Sequence, residues 1–198
     1  MPVNEMPMDP YFALWAFIIA MVATPGPANM LLMTAGAQQG YLRTLPFIGG
    51  LLVGKLMLNI ALAFGLMQLL ESSPGIADVF VFASAGYMAY LALRNWTPPS
   101  AQSAQNRFSF WTGAIVHPLS PKTWMMATLA LSQFGEGFST DWERIVIVPL
   151  SFLIAQLFFH SLWCLAGAAL SRALDQSLIV HRALILLTLG VIVWAVMQ

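Results

Sequence analysis

Two proline-rich stretches hold the residues best suited to chemistry in this sequence. Thr24-Pro25-Gly26-Pro27-Ala28-Asn29 interrupts the first long apolar run, and His117-Pro118-Leu119-Ser120-Pro121-Lys122 interrupts the fourth. Neither stretch can continue a regular helix, because proline lacks a backbone N–H and clashes with the preceding turn. Ser120-Pro121 is typical of a helix start, and Gly26-Pro27 or Thr24-Pro25 can play the same part. Each restart would direct free N–H groups and the positive end of a helix dipole toward the break, which favours binding of an anion.

Two lysines lie inside apolar runs and supply a second set of candidate groups. Lys55 and Lys122 are roughly ten or more residues from the run ends, which at about 1.5 Å per residue is near the middle of a hydrocarbon core of about 30 Å. A central lysine costs about 2.5–3.5 kcal/mol on insertion, so it needs a partner or a function. None of the eight acidic residues falls at this depth, Asp78 being the nearest. The pattern indicates a substrate that brings a carboxylate; the alternative is that both side chains snorkel toward the cytoplasm.

The other polar groups in the runs each have two interpretations. Asn29 could bind substrate or cap the freed backbone, and Asn59 and Gln156 could instead hydrogen-bond between helices. His160 could relay protons or only pack. The breaks themselves could be simple kinks, but paired interruptions in two halves are typical of a transporter site. We therefore predict one substrate site formed by Pro25, Gly26, Pro27, Asn29, Lys55, Asn59, Ser120, Pro121, Lys122 and His160.

The composition indicates an integral membrane protein. Of the 198 residues, 59% are hydrophobic and 8% are charged, and the mean hydropathy is +0.77, whereas soluble domains carry about 25% charged residues. The lipid bilayer is therefore an expected partner, and the formal net charge of zero gives no reason to expect nucleic acid. The single Cys164 excludes an internal disulfide and a multi-cysteine metal site, and no cofactor or metal is predicted. Met1–Pro10 carries no basic residue, so no cleavable signal peptide is expected.

Six apolar runs are near the length that a membrane span requires. We place them at about Tyr11–Thr34, Leu45–Leu70, Ile76–Leu93, Phe110–Leu131, Ile145–Leu170 and Val180–Val196. A Pro-, Ser- and Gln-rich linker at about 95–107 separates halves of three helices each, at about 11–94 and 108–197. Because each half has an odd number of helices, a repeat between them must be inverted. The predicted fold is one all-α transmembrane transporter domain, 1–198, a 3+3 inverted repeat with helices 1 and 4 broken near the midplane.

Basic residues predict the orientation. Those after helices 1, 3 and 5 are Arg43, Arg94, Arg107, Arg172 and Arg182, whereas the opposite side has only Arg144. Cytoplasmic loops are enriched in Lys and Arg. The protein is therefore predicted to be multi-pass with both termini in the periplasm.

Signatures of catalysis are absent. The sequence has no G-x-S-x-G, H-E-x-x-H or phosphate-loop motif, so an enzyme is not predicted. One alternative is an intramembrane enzyme with His117 or His160 as base and Ser120 or Cys164 as nucleophile. A second is an ion or metal transporter on the same scaffold, although a divalent cation prefers oxygen ligands and the runs have no central carboxylates.

A series of motifs resembles the LysE/RhtB family of bacterial amino-acid exporters over essentially the whole chain. It consists of Thr24-Pro25-Gly26-Pro27, Gly49-Gly50, Gly54, Ala85-Gly86-Tyr87-Met88-Ala89-Tyr90-Leu91, Phe110, Gly113, Pro118-Leu119-Ser120-Pro121-Lys122 and Gln133-Phe134. Leu162-Trp163-Cys164-Leu165-Ala166-Gly167 is most similar to the cysteine and O-acetylserine exporters of that family.

The resemblance implies an inner-membrane exporter of amino acids or close derivatives, coupled to the proton gradient. It also implies functional roles for Pro25, Pro27, Pro121 and Lys122. The chain departs from the family pattern in having Ser120 for an asparagine and His117-Pro118 for a frequent Asn-Pro. Many relatives carry an acid or a small polar residue near the position of Lys55, and a cation there disfavours lysine or arginine as substrate. We therefore expect an efflux permease for small neutral or anionic amino acids or derivatives in the bacterial inner membrane, and leave a homo-oligomer open.

Overall fold

The computed structural model describes residues 10–64, 74–96, 107–133, 138, 140–174 and 178–197, and in these ranges it contains helices and no strands. In chain order the helices are α1 Pro10–Ala23, α2 Pro27–Gln39, α3 Tyr41–Ala63, α4 Pro74–Arg94, α5 Phe110–Val116, α6 Pro121–Gln133, α7 Asp141–Ala173 and α8 Leu178–Val196. The all-α prediction is confirmed for this part of the chain. Most of the predicted linker, 97–106, lies outside it.

Both predicted breaks are present. The first apolar run is divided into α1 and α2, which bend by 54° at residues 24–26. The fourth is divided into α5 and α6 by a turn at residues 117–119. The order of a broken pair, a long helix and a further helix therefore occurs twice along the chain.

The start of α3 corrects the predicted first loop. The sequence predicts Arg43 in a connection, but it lies in the first turn of α3, and only Gly40 separates α2 from α3. Arg94, Arg144, Arg172 and Arg182, also predicted in connections, lie in α4, α7 and α8. Gly40 has φ +74°, a left-handed conformation that glycine adopts without the steric cost of a Cβ. Its N–H bonds to the carbonyl of Gly36, so one residue both ends α2 and turns the chain.

Within the described residues, two helices are long and apolar enough to cross a membrane, Tyr41–Ala63 and Trp142–Ala173, and the bent α1–α2 pair makes a third if it is counted as one span. Leu178–Trp194 is apolar but shorter. The six-span arrangement and the inverted symmetry stay predictions. With the composition, these helices identify a membrane protein.

Glycines allow α3 to pack on α5 through direct backbone contact. A Cβ on Gly50 would overlap the carbonyl oxygen of Phe110, and one on Gly54 would overlap that of Ala114. From the opposite side, a Cβ on Gly113 would overlap the carbonyl of Phe47. Small residues permit such close approach between membrane helices, so Gly50 and Gly54 form a packing face. The contact fixes the end of α5, and with it the second break, against α3.

Gly36 and Gly167 do the same for α2 and α7. A Cβ on Gly36 would overlap the carbonyl of Cys164, and one on Gly167 would overlap the carbonyl of Met33. The long helix α7 is thereby held against the part of α2 that follows the first break. This contact positions the polar residues of α7 near that break.

Two buried apolar clusters meet at the breaks. The first includes Ala28, just after the first break, and Val116, just before the second. The other includes Val22 before the first break and Met126 after the second. Gly26 and Ser120 are buried, whereas Thr24 and Pro25 are exposed, so protein covers the first break only in part. The backbone groups freed there need polar partners at membrane depth.

Candidate functional site

The two breaks line one small cavity. Gly26, Pro27 and Asn29 contribute from the first break, and Ser120 and Lys122 from the second; the other lining residues are Met21, Val22, Ala28, His117, Thr123, Met126, Gln156 and His160. The structure thus brings six of the ten predicted site residues together, His160 included. The cavity has a volume of about 20 Å³, and a single water needs roughly 10–15 Å³. In this conformation it accommodates one water-sized polar group.

Both predicted helix starts are confirmed at this cavity. Helix α2 begins at Pro27 with Gly26 as its N-cap in extended conformation, which decides between the two predicted starts. Helix α6 begins at Pro121, and the carbonyl of Ser120 accepts hydrogen bonds from the amides of Thr123 and Trp124 at 2.9 and 3.2 Å. Two helix N-termini, each with a positive partial charge, therefore begin beside the same space.

Asn29 caps the end of the preceding helix. Its Nδ2 donates to the carbonyls of Val22 and Thr24, both at 2.9 Å. These carbonyls have lost their partners because α1 stops at Ala23, and a buried carbonyl without a partner is costly. Of the two sequence interpretations, the capping role is the one seen here, and Asn29 also lines the cavity.

Lys122 joins the two breaks directly. Its Nζ donates to Thr24 Oγ1 at 2.8 Å and to the carbonyls of Thr24 and Pro25, each at 3.3 Å. The stem of the side chain lies on Gly26, where an added Cβ would come within 3.2 Å of Lys122 Cδ. The ammonium thus sits at the negative end of the α1 dipole, and the snorkelling alternative does not describe it.

Lys55 is buried apart from the cavity. Its side chain is 1% exposed, and its Nζ donates to the carbonyl of Thr123 at 3.2 Å and lies 4.1 Å from the centre of the Phe152 ring. The snorkelling alternative is therefore wrong for Lys55. Among the described residues no carboxylate pairs with Lys55 or with Lys122. Lys55 does not line the cavity, and its predicted role in substrate binding stays a prediction.

Asn59, one helical turn along α3 from Lys55, is fully buried. Neither its Oδ1 nor its Nδ2 has a hydrogen-bond partner in the described part of the chain. The predicted interhelical bond of this amide is thus not formed here, and its substrate role also stays a prediction.

Two histidines form a stacked pair at the cavity. The rings of His117 and His160 have centroids 5.3 Å apart and planes inclined by 15°. His117 Nδ1 lies 3.1 Å from Thr123 Oγ1. Three buried atoms here have no partner within the described ranges: His117 Nε2, His160 Nδ1 and Gln156 Oε1. Sequence reasoning did not assign His117 or Gln156 to the substrate site, although Gln156 and His160 are four residues apart and so share one face of α7.

The enzyme alternative lacks its key contact. It requires a histidine hydrogen-bonded to Ser120 or Cys164, and no such bond is present among the described residues. Cys164 is fully buried at the contact of α7 with Gly36. No group of three or more His, Cys, Asp or Glu side chains in the described chain is placed to hold a metal ion.

A larger pocket adjoins the cavity. It has a volume of about 730 Å³ and is lined by Met21, Thr24, Pro25, Gly26, Pro27, Pro121, Lys122, Met125, Val191 and Trp194. Met21, Gly26, Pro27 and Lys122 line both spaces and so form the wall between them. Pro25 and Pro121 face only the larger one.

Comparison with known proteins supports the family resemblance. The profile described as LysE type translocator matches residues 19–196. The chain is 25% identical over 170 residues to the cysteine/O-acetylserine efflux proteins of Escherichia coli K12, Shigella flexneri serotype 5b and Shigella sonnei, covering 83% of this chain and 85% of each relative. No solved structure matches. Since the matched profile extends over nearly the whole chain, this protein belongs to the LysE type translocator family.

Proposed function

We propose that this protein exports small neutral or anionic amino acids or their derivatives across the bacterial inner membrane. The observation that carries the proposal is that two helix N-termini and Lys122 meet at one cavity. Family membership and the efflux activity in the names of its relatives support the direction of transport.

In this proposal the substrate carboxylate binds at the starts of α2 and α6, beside Lys122. A carboxylate adds the attraction between opposite charges to its hydrogen bonds with an ammonium, which a neutral carbonyl or hydroxyl does not supply. Within the part of the chain that the structure describes, Lys122 bonds to neutral acceptors on Thr24 and Pro25. The incoming anion would therefore compete well for the ammonium, and releasing Thr24 would loosen the contact between the two breaks.

The transport cycle follows from this release. Six spans form a 3+3 inverted repeat with both termini in the periplasm, and the two halves rock about the site to expose it to each side in turn. The repeated order of helices and the matching breaks support this arrangement. Lys55 adds a second buried cation close to the start of α6, which disfavours cationic substrates. The proton gradient drives the export.

An efflux experiment tests the proposal. Cells that overproduce the protein are loaded with labelled cysteine, O-acetylserine or one of a broad panel of amino acids, and efflux is measured with and without the proton gradient. We expect efflux of at least one neutral or anionic amino acid above that of vector-only cells, and its loss when the gradient collapses. Efflux equal to that of vector-only cells for every amino acid in the panel would refute the proposed export function.

The orientation has its own test. A reporter that is active only in the cytoplasm is fused after Gln198 and should be silent, whereas an active reporter would overturn the proposed topology.

A further inference from the structure

We propose that the small cavity is the subsite for the substrate's α-ammonium group, and that its acceptors take up the coupling proton when the ammonium leaves. The acceptors are Gln156 Oε1, His117 Nε2 and His160 Nδ1. This inference rests on the proposed export function and assigns one chemical group of the substrate, and the proton, to one set of atoms.

The match between the cavity and an ammonium group is the first argument. Gln156, His160 and His117 are 1%, 2% and 3% exposed, and each has a buried polar atom without a partner. Leaving such an atom unsatisfied costs about 1–3 kcal/mol. An ammonium group has three N–H donors and no acceptor. It also has the size of the one polar group that a volume of about 20 Å³ accommodates.

The position of Lys122 is the second argument. Lys122 belongs to the wall between the cavity and the larger pocket. An amino acid with its ammonium in the cavity therefore places its carboxylate beside Lys122 and the two helix starts. Its side chain then points into the larger pocket, which is lined on that side by Met21, Met125, Val191 and Trp194. All three parts of an α-amino acid are thereby accommodated.

If the same atoms bind either the substrate ammonium or a proton, the substrate and the proton cross the membrane in opposite directions. The Thr123 hydroxyl can accept from or donate to His117 Nδ1, so His117 can gain a proton on Nε2 and keep that bond. One N–H bond then forms while one O–H bond of a hydronium ion breaks, and the step reverses on the other side of the membrane. A protonated ring is a donor instead of an acceptor, so it excludes the ammonium. Substrate and proton therefore occupy the site alternately.

The surrounding charges favour a zwitterion over a lone cation. Lys55 approaches from α3 and Lys122 from α6, and α1 and α2 contribute no charged group among their described residues. A proton or an amine without a carboxylate adds to this positive charge, whereas an amino acid adds none. The stacked rings also disfavour charge on both at once, so the pair takes one proton.

Competition in wild-type protein tests the ammonium subsite without any substitution. Purified protein is placed in liposomes, its exchange of labelled cysteine is measured, and cysteine, N-acetylcysteine and 3-mercaptopropionate are compared as inhibitors of that exchange. The last two keep the carboxylate and thiol but lack the ammonium. We expect cysteine to inhibit the exchange at a concentration at least about tenfold lower than either of the other two compounds. Equal inhibition by all three overturns the inference, whereas no exchange of any amino acid overturns the proposed function instead.

Variants then locate the subsite. Gln156→Leu should reduce the difference between the inhibitory concentrations of cysteine and 3-mercaptopropionate to less than about threefold. Gln156→Glu keeps the acceptor oxygen and should therefore keep the difference of the wild type. His181→Asn is the matched control, since His181 bonds to the carbonyl of Asn95 and lies outside the cavity. Full discrimination in Gln156→Leu would contradict the assignment.

The proton is tested by pH. As the pH falls from about 8 to about 6, across the range where histidine gains a proton, more cysteine should be needed for half-maximal exchange by the wild type. The His117→Asn/His160→Asn variant should show less dependence on pH, and an unchanged dependence would overturn the role of the pair.

Discussion

Gly49 and Gly50 offer a sharp test of how α3 and α5 pack, because they are neighbours on one helix and differ only in what they face. A Cβ on Gly50 would overlap the carbonyl oxygen of Phe110. A Cβ on Gly49 would make ordinary contact, 3.8 Å from Phe110 Cδ2. The same substitution at both positions therefore has equal effects on the backbone of α3 and unequal effects on packing.

The expected effects have opposite signs. In a helix interior, alanine is favoured over glycine by about 0.5–1 kcal/mol. Gly49→Ala should therefore raise the free energy of unfolding by about this amount. Overpacking costs about 1–3 kcal/mol. At Gly50 this cost exceeds the gain, because the overlapping atoms belong to the backbone of α5 and move only if the helices separate. Gly50→Ala should therefore lower the free energy of unfolding by about 1–2 kcal/mol.

Thermal unfolding of the purified variants in one detergent, at one scan rate, measures the difference. For a protein of this size 1 kcal/mol corresponds to roughly 2–4 °C, so the two variants should differ by several degrees, with Gly50→Ala the lower. Gly54→Ala should resemble Gly50→Ala, since its Cβ would meet the carbonyl of Ala114. Equal melting temperatures for Gly49→Ala and Gly50→Ala would refute the close contact.

Two further predictions concern the breaks. Lys122→Gln should raise the substrate concentration for half-maximal exchange by roughly 10- to 150-fold, because a hydrogen bond to a charged group contributes about 1.5–3 kcal/mol. Lys122→Arg, which keeps the charge, should raise that concentration less. A Lys122→Gln variant with the wild-type value would contradict the role of Lys122. Asn29→Ala should lower the melting temperature more than Thr34→Ala does, because Asn29 donates to two carbonyls at the C-terminal end of α1, whereas the hydroxyl of Thr34 donates to the Met30 carbonyl within its own helix. Similar losses for both would refute the capping role.

The sequence predicts those features that depend on local chemistry. Two prolines close together with glycine or serine beside them predict both breaks and the restart at Pro121, but a lone proline does not break a helix here, since Pro46 lies inside α3 and Pro149 inside α7. At the first break the sequence leaves the choice between Pro25 and Pro27 open, and the structure makes it. The glycine spacing of α3 predicts close packing, because a residue without a side chain lets a neighbouring helix approach. Arg43 was misplaced because a single glycine can replace a whole loop, and the length of an apolar run does not reveal that.

The partners of the polar groups could not be predicted in this way. Lys55 donates to a carbonyl 68 residues away in sequence, and Lys122 to Thr24, 98 residues away. Lysines deep in apolar runs indicate that a partner is needed, and carboxylates are the partners for which a sequence can be searched. Here the partners include backbone carbonyls, which are weaker acceptors than carboxylates and which no residue type in the sequence identifies.

The break in helix 1 therefore unites two roles that the sequence presents as alternatives. A break inside the membrane must have its backbone groups satisfied, and here Asn29 and Lys122 do so from two helices. The two side chains also line the cavity. A substrate carboxylate that draws Lys122 away leaves the Thr24 carbonyl with Asn29 alone and frees the Pro25 carbonyl. Binding would then weaken the contact that holds the two broken helices together, which is the contact that must change if the halves are to move.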